Sequence, residues 1–429
     1  MHTNRPLLQN SREVYGGEGG LAITTADSAA IDAFARQRVS TPAGLFDSQL
    51  QYNTANLFWY QSPATGSFVT HLPNESSVNL TVASGQTTIR QTKQYHRYQP
   101  GKSQQILMTF VCQQPTLGLY QNVGYFDAQN GIFFHVSEND NSLNFVLRSY
   151  VSGSPVDTTV SQADWNVDTM TGAGGDANPS GIRLDITQSQ ILIMDLEWLG
   201  VGRVRVGFVI DGIPVYCHDF LNANKNDSVY MTTANLPLRY EISAAGGMTG
   251  TYSLKQICCA VTSEGGVELE RGLPVAVDTR ASGTLSVTSE VAVLAIRPKA
   301  TFNGIVNRGR IEIEGYNTEI ATNGAWVSMV YNPTLPTGTA WASANSESIV
   351  EYAILPGAFT GGIRNESEPI PASGLNANSR VGSGEADIIS KLPITLDING
   401  ANPIPIAITA QSKTGTAGVF ASIRWREVK

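Results

Sequence analysis

Short apolar runs, broken by clusters of Gly, Asn, Asp, Ser and Thr, set the rhythm of this chain. From Leu45 to about Ser263 they recur roughly every 8 to 12 residues, a spacing that predicts a sandwich or jelly roll rather than strand–helix–strand units. The candidate strands are Ser77 to Val82, Gln104 to Cys112, Gly118 to Asp127, Gly131 to Val136, Asn144 to Ser152, Gln190 to Trp198, Val204 to Ile210 and Ile213 to Asp219. Asp211-Gly212 falls between Phe208-Val209-Ile210 and Ile213-Pro214-Val215-Tyr216, and an Asp-Gly pair between apolar runs is a strong hairpin signal. Asp127-Ala-Gln-Asn-Gly131 separates two aromatic-rich strands in the same way. The glycine-rich stretch Thr171 to Gly181 reads as a long surface loop.

Near Glu264-Gly265-Gly266 the aromatic-rich strands give way to lighter ones built from Ala, Val, Ile and Thr, which places a domain boundary there. Beyond it the candidates are Leu285 to Val287, Glu290 to Arg297, Arg310 to Ile313, Trp326 to Tyr331, Ser348 to Leu355, Ile394 to Ile398, Ile404 to Thr409 and Gly418 to Trp425. Pro333, Pro336, Pro356, Pro369 and Pro371 are expected between strands, where a missing N–H costs no ladder bond. Residues 1–44, rich in Gly, Ser, Asn and Arg, read as a flexible N-terminal arm. Ile31 and Phe34 sit at helical spacing in it, so one or two helical turns are expected between Ser28 and Arg38. The expected architecture is all-β: the arm over 1–44, a jelly-roll/concanavalin-like β-sandwich over 45–263 and a second, smaller β-sandwich over 264–429. The absence of any fixed period argues against a solenoid or propeller.

Composition narrows the function. With 429 residues each domain can bury a real core, and no metal or disulfide is needed for folding. A formal charge of -8 and the lack of a basic run argue against nucleic acid as a partner. No stretch approaches the roughly 20 apolar residues of a membrane helix, so no membrane partner is expected. Cys112, Cys217, Cys258 and Cys259 lack paired spacing and read as free, largely buried thiols, consistent with assembly in a reducing cytoplasm.

The most enzyme-like string is Ile191-Leu-Ile-Met-Asp195-Leu-Glu197-Trp198, because Asp195 and Glu197 are two apart and would share one face of a strand. Paired carboxylates on a sheet are what a sandwich-fold glycosidase would use as acid and nucleophile. The third acid of the usual Glu-x-Asp-x-x-Glu strand is replaced by Gly200 or Val201, and the alternative is a partly solvated face paired to Arg203 or Arg205. The five histidines lack ligand spacing, Cys258-Cys259 cannot close a zinc tetrahedron, and the glycine-rich segments lack the Lys-Ser/Thr of a P-loop. Asp140, Asn141, Asp176 and Asn178 offer oxygens suited to calcium without diagnostic spacing. No catalytic residue, cofactor or metal is therefore assigned. Phe58, Trp59, Tyr60, Tyr95 and Tyr98 are the candidates for contact with a glycan or another subunit, core packing being the alternative.

The strings Asp32-Ala-Phe-Ala-Arg36-Gln-Arg38-Val39-Ser40, Leu45-Phe46-Asp47-Ser48-Gln49 and Tyr98-Gln99-Pro100-Gly101-Lys102-Ser103 resemble a family of uncharacterised proteins of tailed phages, especially marine ones. The likeness continues through Asn122-Val-Gly-Tyr-Phe-Asp127, Asn130-Gly131-Ile132, Arg148-Ser149-Tyr150, Gln162-Ala163-Asp164-Trp165, Glu197-Trp198-Leu199-Gly200-Val201-Gly202 and Gly207-Phe208-Val209-Ile210-Asp211-Gly212. It covers roughly residues 30–265. The resemblance implies a non-enzymatic virion structural protein, a fibre, decoration or tail or neck appendage, and brings no catalytic residues. Its expected partners are itself, as a homo-oligomer with a trimer as one form, and other virion proteins. The alternative is a carbohydrate-binding receptor-recognition module of the particle, with a host surface glycan as partner. The third reading is a glycoside hydrolase carrying Asp195 and Glu197.

Overall fold

A computed structural model describes residues 32–33, 42–266, 272–372, 375–376 and 392–429. The chain is all-β, and its first part is a jelly-roll/concanavalin-like sandwich of two antiparallel sheets. The front sheet has seven strands in the order Val156–Ser161, Leu143–Ser149, Gly131–Val136, Leu119–Phe126, Leu238–Ala244, Thr87–Thr92 and Trp59–Ser62. The back sheet has eight, running Ile213–Phe220, Val204–Ile210, Gln190–Leu196, Ser103–Val111, Tyr252–Glu264, Ser77–Val82 and Val69–Leu72, with Ala43–Ser48 pairing to Tyr252–Glu264.

Side chains alternate across each strand, and this alternation builds the core. In Ser103–Val111 the inward Ile106, Met108 and Phe110 are fully buried, and they meet Val123, Phe134 and Phe145 of the front sheet. Phe134 lies 5.8 Å from Phe110 and 5.5 Å from Phe208, so the aromatics interlock across the layers. Burying one such side chain contributes about 1.5–3 kcal/mol. The Asp211-Gly212 hairpin forms as expected: φ is 48° and 82° at its two central residues, the left-handed pair that a type I′ turn requires. The loop around Thr171–Gly181 is organised by buried Asp168, which accepts from the Met170 and Ser180 N–H groups and from the Asn178 amide.

The second sandwich pairs a six-stranded sheet with a five-stranded one. The first runs Ala342–Ser343, Val350–Gly357, Val291–Pro298, Ile406–Ser412, Ala325–Tyr331 and Ile363–Ile370. In the second, Ala417–Val428 lies between Leu273–Asp278 and Arg310–Thr322, with Leu285–Val287 and Leu375–Asn376 at its margins. Its core is aliphatic around Trp425, and the short hairpin Thr301–Phe302/Ile305–Val306 stands apart. The Arg308 guanidinium lies 4.5 Å from the ring centroid of Tyr95 in the first sandwich, while its two terminal nitrogens donate to the carbonyls of Asp397 and Ile398.

Several expectations need correction. Strand Ala43–Ser48 begins inside the segment read as arm, because Phe46 packs against Trp59 and His96. The segment Ile394–Ile398 is no strand: its one bridge joins Leu396 to Pro403, and Asp397 turns the chain by accepting the Asn399 and Ala401 N–H groups. Pro356 and Pro369 lie within strands, Pro369 on Ile363–Ile370 at the end of its sheet's strand order. Of the helical turns expected between Ser28 and Arg38, all but Asp32 and Ala33 lie outside the described residues. Cys112, Cys217 and Cys259 are free and buried, and Cys258 is free and partly buried.

Candidate functional site

The outer face of the front sheet can be read from its register. One cross-strand row runs Tyr60, Gln91, Arg239, Gly124, Phe133, Val146, Thr159. Beside it runs Ser62, Ile89, Glu241, Asn122, His135, Asn144, Ser161. Neighbours in such rows have Cβ atoms roughly 4.5–5.5 Å apart, close enough to orient one another.

They do so here. Arg239 Nε donates to Glu241 Oε2 at 2.7 Å and Nη1 to Gln91 Oε1 at 3.3 Å. The Tyr120 hydroxyl donates to Glu241 Oε1 at 2.7 Å, and burial together with that carboxylate pushes the phenol up to about 12. His135 Nδ1 donates to Asn122 Oδ1 at 2.7 Å, its Nε2 lies 3.9 Å from Glu138 Oε2, and burial lowers its pKa. Arg148 forms a two-pronged pair with Asp157, 2.8 Å on each arm.

Beneath these groups Phe126 and Phe133 stack at 4.3 Å, with the Arg239 guanidinium 5.3 Å from the first ring and that of Arg148 5.1 Å from the second. Gly124 makes the stack possible, since a Cβ there would lie 2.5 Å from the Phe133 Cβ. Phe126 and Phe133 are sealed, at 0% and 2% exposure, so the face offers solvent only the edges of its polar groups, Arg239 and Glu241 each keeping 10% side-chain exposure, and partly exposed Tyr60. Such an arrangement can hold a polar, ring-shaped ligand without bond making or breaking.

Of the residues singled out in the sequence, Tyr60 lies in this surface, partly exposed. Phe58 is partly buried and packs against the core. Trp59 is 1% exposed: its indole N–H donates to Ser48 Oγ, and the buried Arg90 guanidinium stands 4.9 Å from its ring centroid. Tyr98 is buried with its hydroxyl accepting the Trp198 N–H, and Tyr95 is buried under Arg308. Trp59, Tyr95 and Tyr98 are therefore interior residues rather than a contact surface. Arg239 and Glu241 were missed, although Leu238-Arg-Tyr-Glu-Ile-Ser-Ala244 alternates apolar and polar throughout and so carried the signal.

The carboxylate pair also resolves differently from a catalytic dyad. Asp195 is completely buried, accepting from Gln105 Nε2, Arg205 Nη2 and the Tyr216 hydroxyl. Glu197 lies beyond the strand end and folds onto its own loop, where Oε1 accepts the Arg203 N–H at 2.8 Å. Arg205 is one of the two partners expected for the non-catalytic case, but the pair is buried rather than partly solvated. Among the candidate calcium oxygens, Asp140 Oδ1 accepts from the Ser142 N–H and hydroxyl, and Asn178 Oδ1 accepts the Gly172 N–H.

No protein-family model matches the chain, and no curated protein matches it. Among solved structures, a legume lectin-like domain from Entamoeba histolytica aligns with 52% of this chain and 98% of its own, at 11% identity and a TM-score of 0.31. A Bacteroides ovatus family-16 glycoside hydrolase bound to a mixed-linkage glucan product aligns with 51% of this chain and 99% of its own, at 9% identity and a TM-score of 0.33. A carbohydrate esterase from the Shiga toxin-encoding bacteriophage phi24B aligns with 52% and 99%, at 12% identity and a TM-score of 0.31. Similarity at this level transfers neither a ligand nor a reaction, and the chain is described by its own geometry.

Proposed function

We propose that this chain is a non-enzymatic, glycan-recognising protein that serves as a subunit of a virus particle. The observation that supports the first half is the outer face of the front sheet, where Arg239 with Glu241 and Tyr120, and Asn122 with His135, are held in hydrogen-bonded groups beside the partly exposed ring of Tyr60. Sugars are recognised by donors and acceptors fixed before the ligand arrives, alongside rings that cover their C–H faces. Buried Asp195, already accepting three hydrogen bonds, supports binding without hydrolysis. Placement on a virus particle rests on the family resemblance of roughly residues 30–265.

The test is a glycan array probed with the full chain, followed by titration of the best ligand. Glu241→Gln and Asn122→Ala should each weaken binding about tenfold, measured at a temperature where both variants remain folded, since each change also removes a buried partner. A chain that retains no glycan, or whose binding ignores both substitutions, overturns the glycan reading. New reducing ends released from the bound polysaccharide overturn the non-enzymatic one. Quantitative mass spectrometry of purified virions tests the placement: hundreds of copies indicate a shell decoration, a few tens or fewer an appendage, and absence removes the chain from the particle.

A further inference from the structure

The outer face of the six-stranded sheet in the second sandwich is divided in two. At one end its outward positions are the small residues Ala292, Ala295 and Ala407, covered by Leu335, Trp341 and Phe359. Trp326, the second residue of Ala325–Tyr331, has no such cover among the described residues and is 46% exposed. The register puts Pro369 on one side of it and Gln411 on the other, both exposed. Lys413 holds its ammonium 5.7 Å from the indole centroid and, among the described residues, has no acidic partner. Two residues along the strand, Ser328 Oγ accepts from Arg364, which is paired with Glu290.

We infer that Trp326 is the platform of a second carbohydrate site, one that takes an acidic pyranose of the uronic acid class. The strip is one indole wide, far below the roughly 800 Å² per partner of a stable protein interface, but matched to a single sugar ring. An indole on a hydrogen-bonded strand is held rigid, and a pyranose C–H face lies flat on it. The amide of Gln411 stands across from it, Ser367 lies diagonally beyond as the register partner of Ser328, and the ammonium of Lys413, with no acidic partner among the described residues, supplies the counter-charge for a carboxylate. This site does not depend on the front-sheet reading.

The experiment titrates the full chain with an oligogalacturonate and with its methyl-esterified form, following tryptophan emission. Trp59, Trp165 and Trp425 are buried and Trp198 and Trp341 only partly exposed, so the change at the most exposed indole, Trp326, is isolated by comparing the parent with Trp326→Phe. The acid oligomer should shift the emission, Trp326→Ala should abolish the shift and weaken binding at least about tenfold, and Trp326→Phe should restore part of the affinity. Lys413→Gln should weaken the acid form about two- to fivefold and leave the ester unchanged. Glu241→Gln should change none of this, which separates failure here from failure of the front-sheet site. An oligomer that leaves the emission unmoved overturns the inference. So does a Trp326→Ala chain that sediments as a smaller species than the parent, because the strip is then a subunit contact.

Discussion

Trp59 and Trp326 are the same residue in opposite employment. Trp59 comes from the aromatic string Phe58-Trp59-Tyr60 and looks like a surface anchor, yet it is sealed between Ser48, Phe46, Tyr240 and Arg90. Trp326 sits in an ordinary apolar strand and looks like core, yet it faces out beside Pro369 and Gln411. The strand's phase decides between them: Trp59 pairs with inward Thr92, whereas Val327 and Met329 fill the core and leave Trp326 on the other side. The Trp59 region also holds a charge that a surface would never need to manage. Arg90 is fully buried, its pKa lowered to about 10 by loss of solvent, and it donates to Gln256 Oε1 and the Thr54 carbonyl.

The sharpest way to break this contrast is substitution to alanine at each tryptophan. Trp59→Ala opens a cavity, orphans Ser48 and strips the ring from Arg90, so it should cost about 3–5 kcal/mol in urea unfolding. The next effect is a pH dependence confined to the same region. His96, fully buried beside Phe46, has its pKa lowered from 6.5 to about 3 by burial and then by Arg310. The unfolded chain takes up this proton first, so the contribution is complete above pH 6.5 and declines as the pH falls toward about 3. By pH 5 the loss should reach about 2 kcal/mol, read as the part of the parent's pH slope that His96→Gln removes. Gly124→Ala should cost about 1–3 kcal/mol in a thermal melt, because its Cβ would sit 2.4 Å from the Ile132 carbonyl oxygen. Trp326→Ala closes the series, with an expected change within about 0.5 kcal/mol by the same urea assay. A large loss there, or a small one at Trp59, would invert the comparison.

Strands with strong apolar alternation were legible in the chain, and Ser77–Val82, Gly131–Val136, Val204–Ile210 and Leu285–Val287 carry the bounds the pattern predicts. Others were hidden for physical reasons. Thr87–Thr92 reads as a polar loop because inward Arg90 takes the place of an apolar residue, and Val156–Ser161 is an edge strand with almost nothing to bury. The candidate site was half visible. Asn122, Gly124, Phe126 and Arg148 lie in strings that stood out, but Glu241 and Arg239 reach them only through pairing with a strand more than a hundred residues away. Register across such a distance is a property of the whole sheet, set by which faces are buried, and no local window contains it.

Arg308 has a consequence for how strongly a polymer could be held. By stacking on Tyr95 of one sandwich while clasping two carbonyls of the other, it bridges the sandwich that carries the front-sheet face and the one that carries Trp326. On the two proposed sites, a long chain of sugars captured by one face would meet the other at a concentration dictated by geometry rather than by bulk solution. The joint would thereby couple the two proposed sites on one polymer.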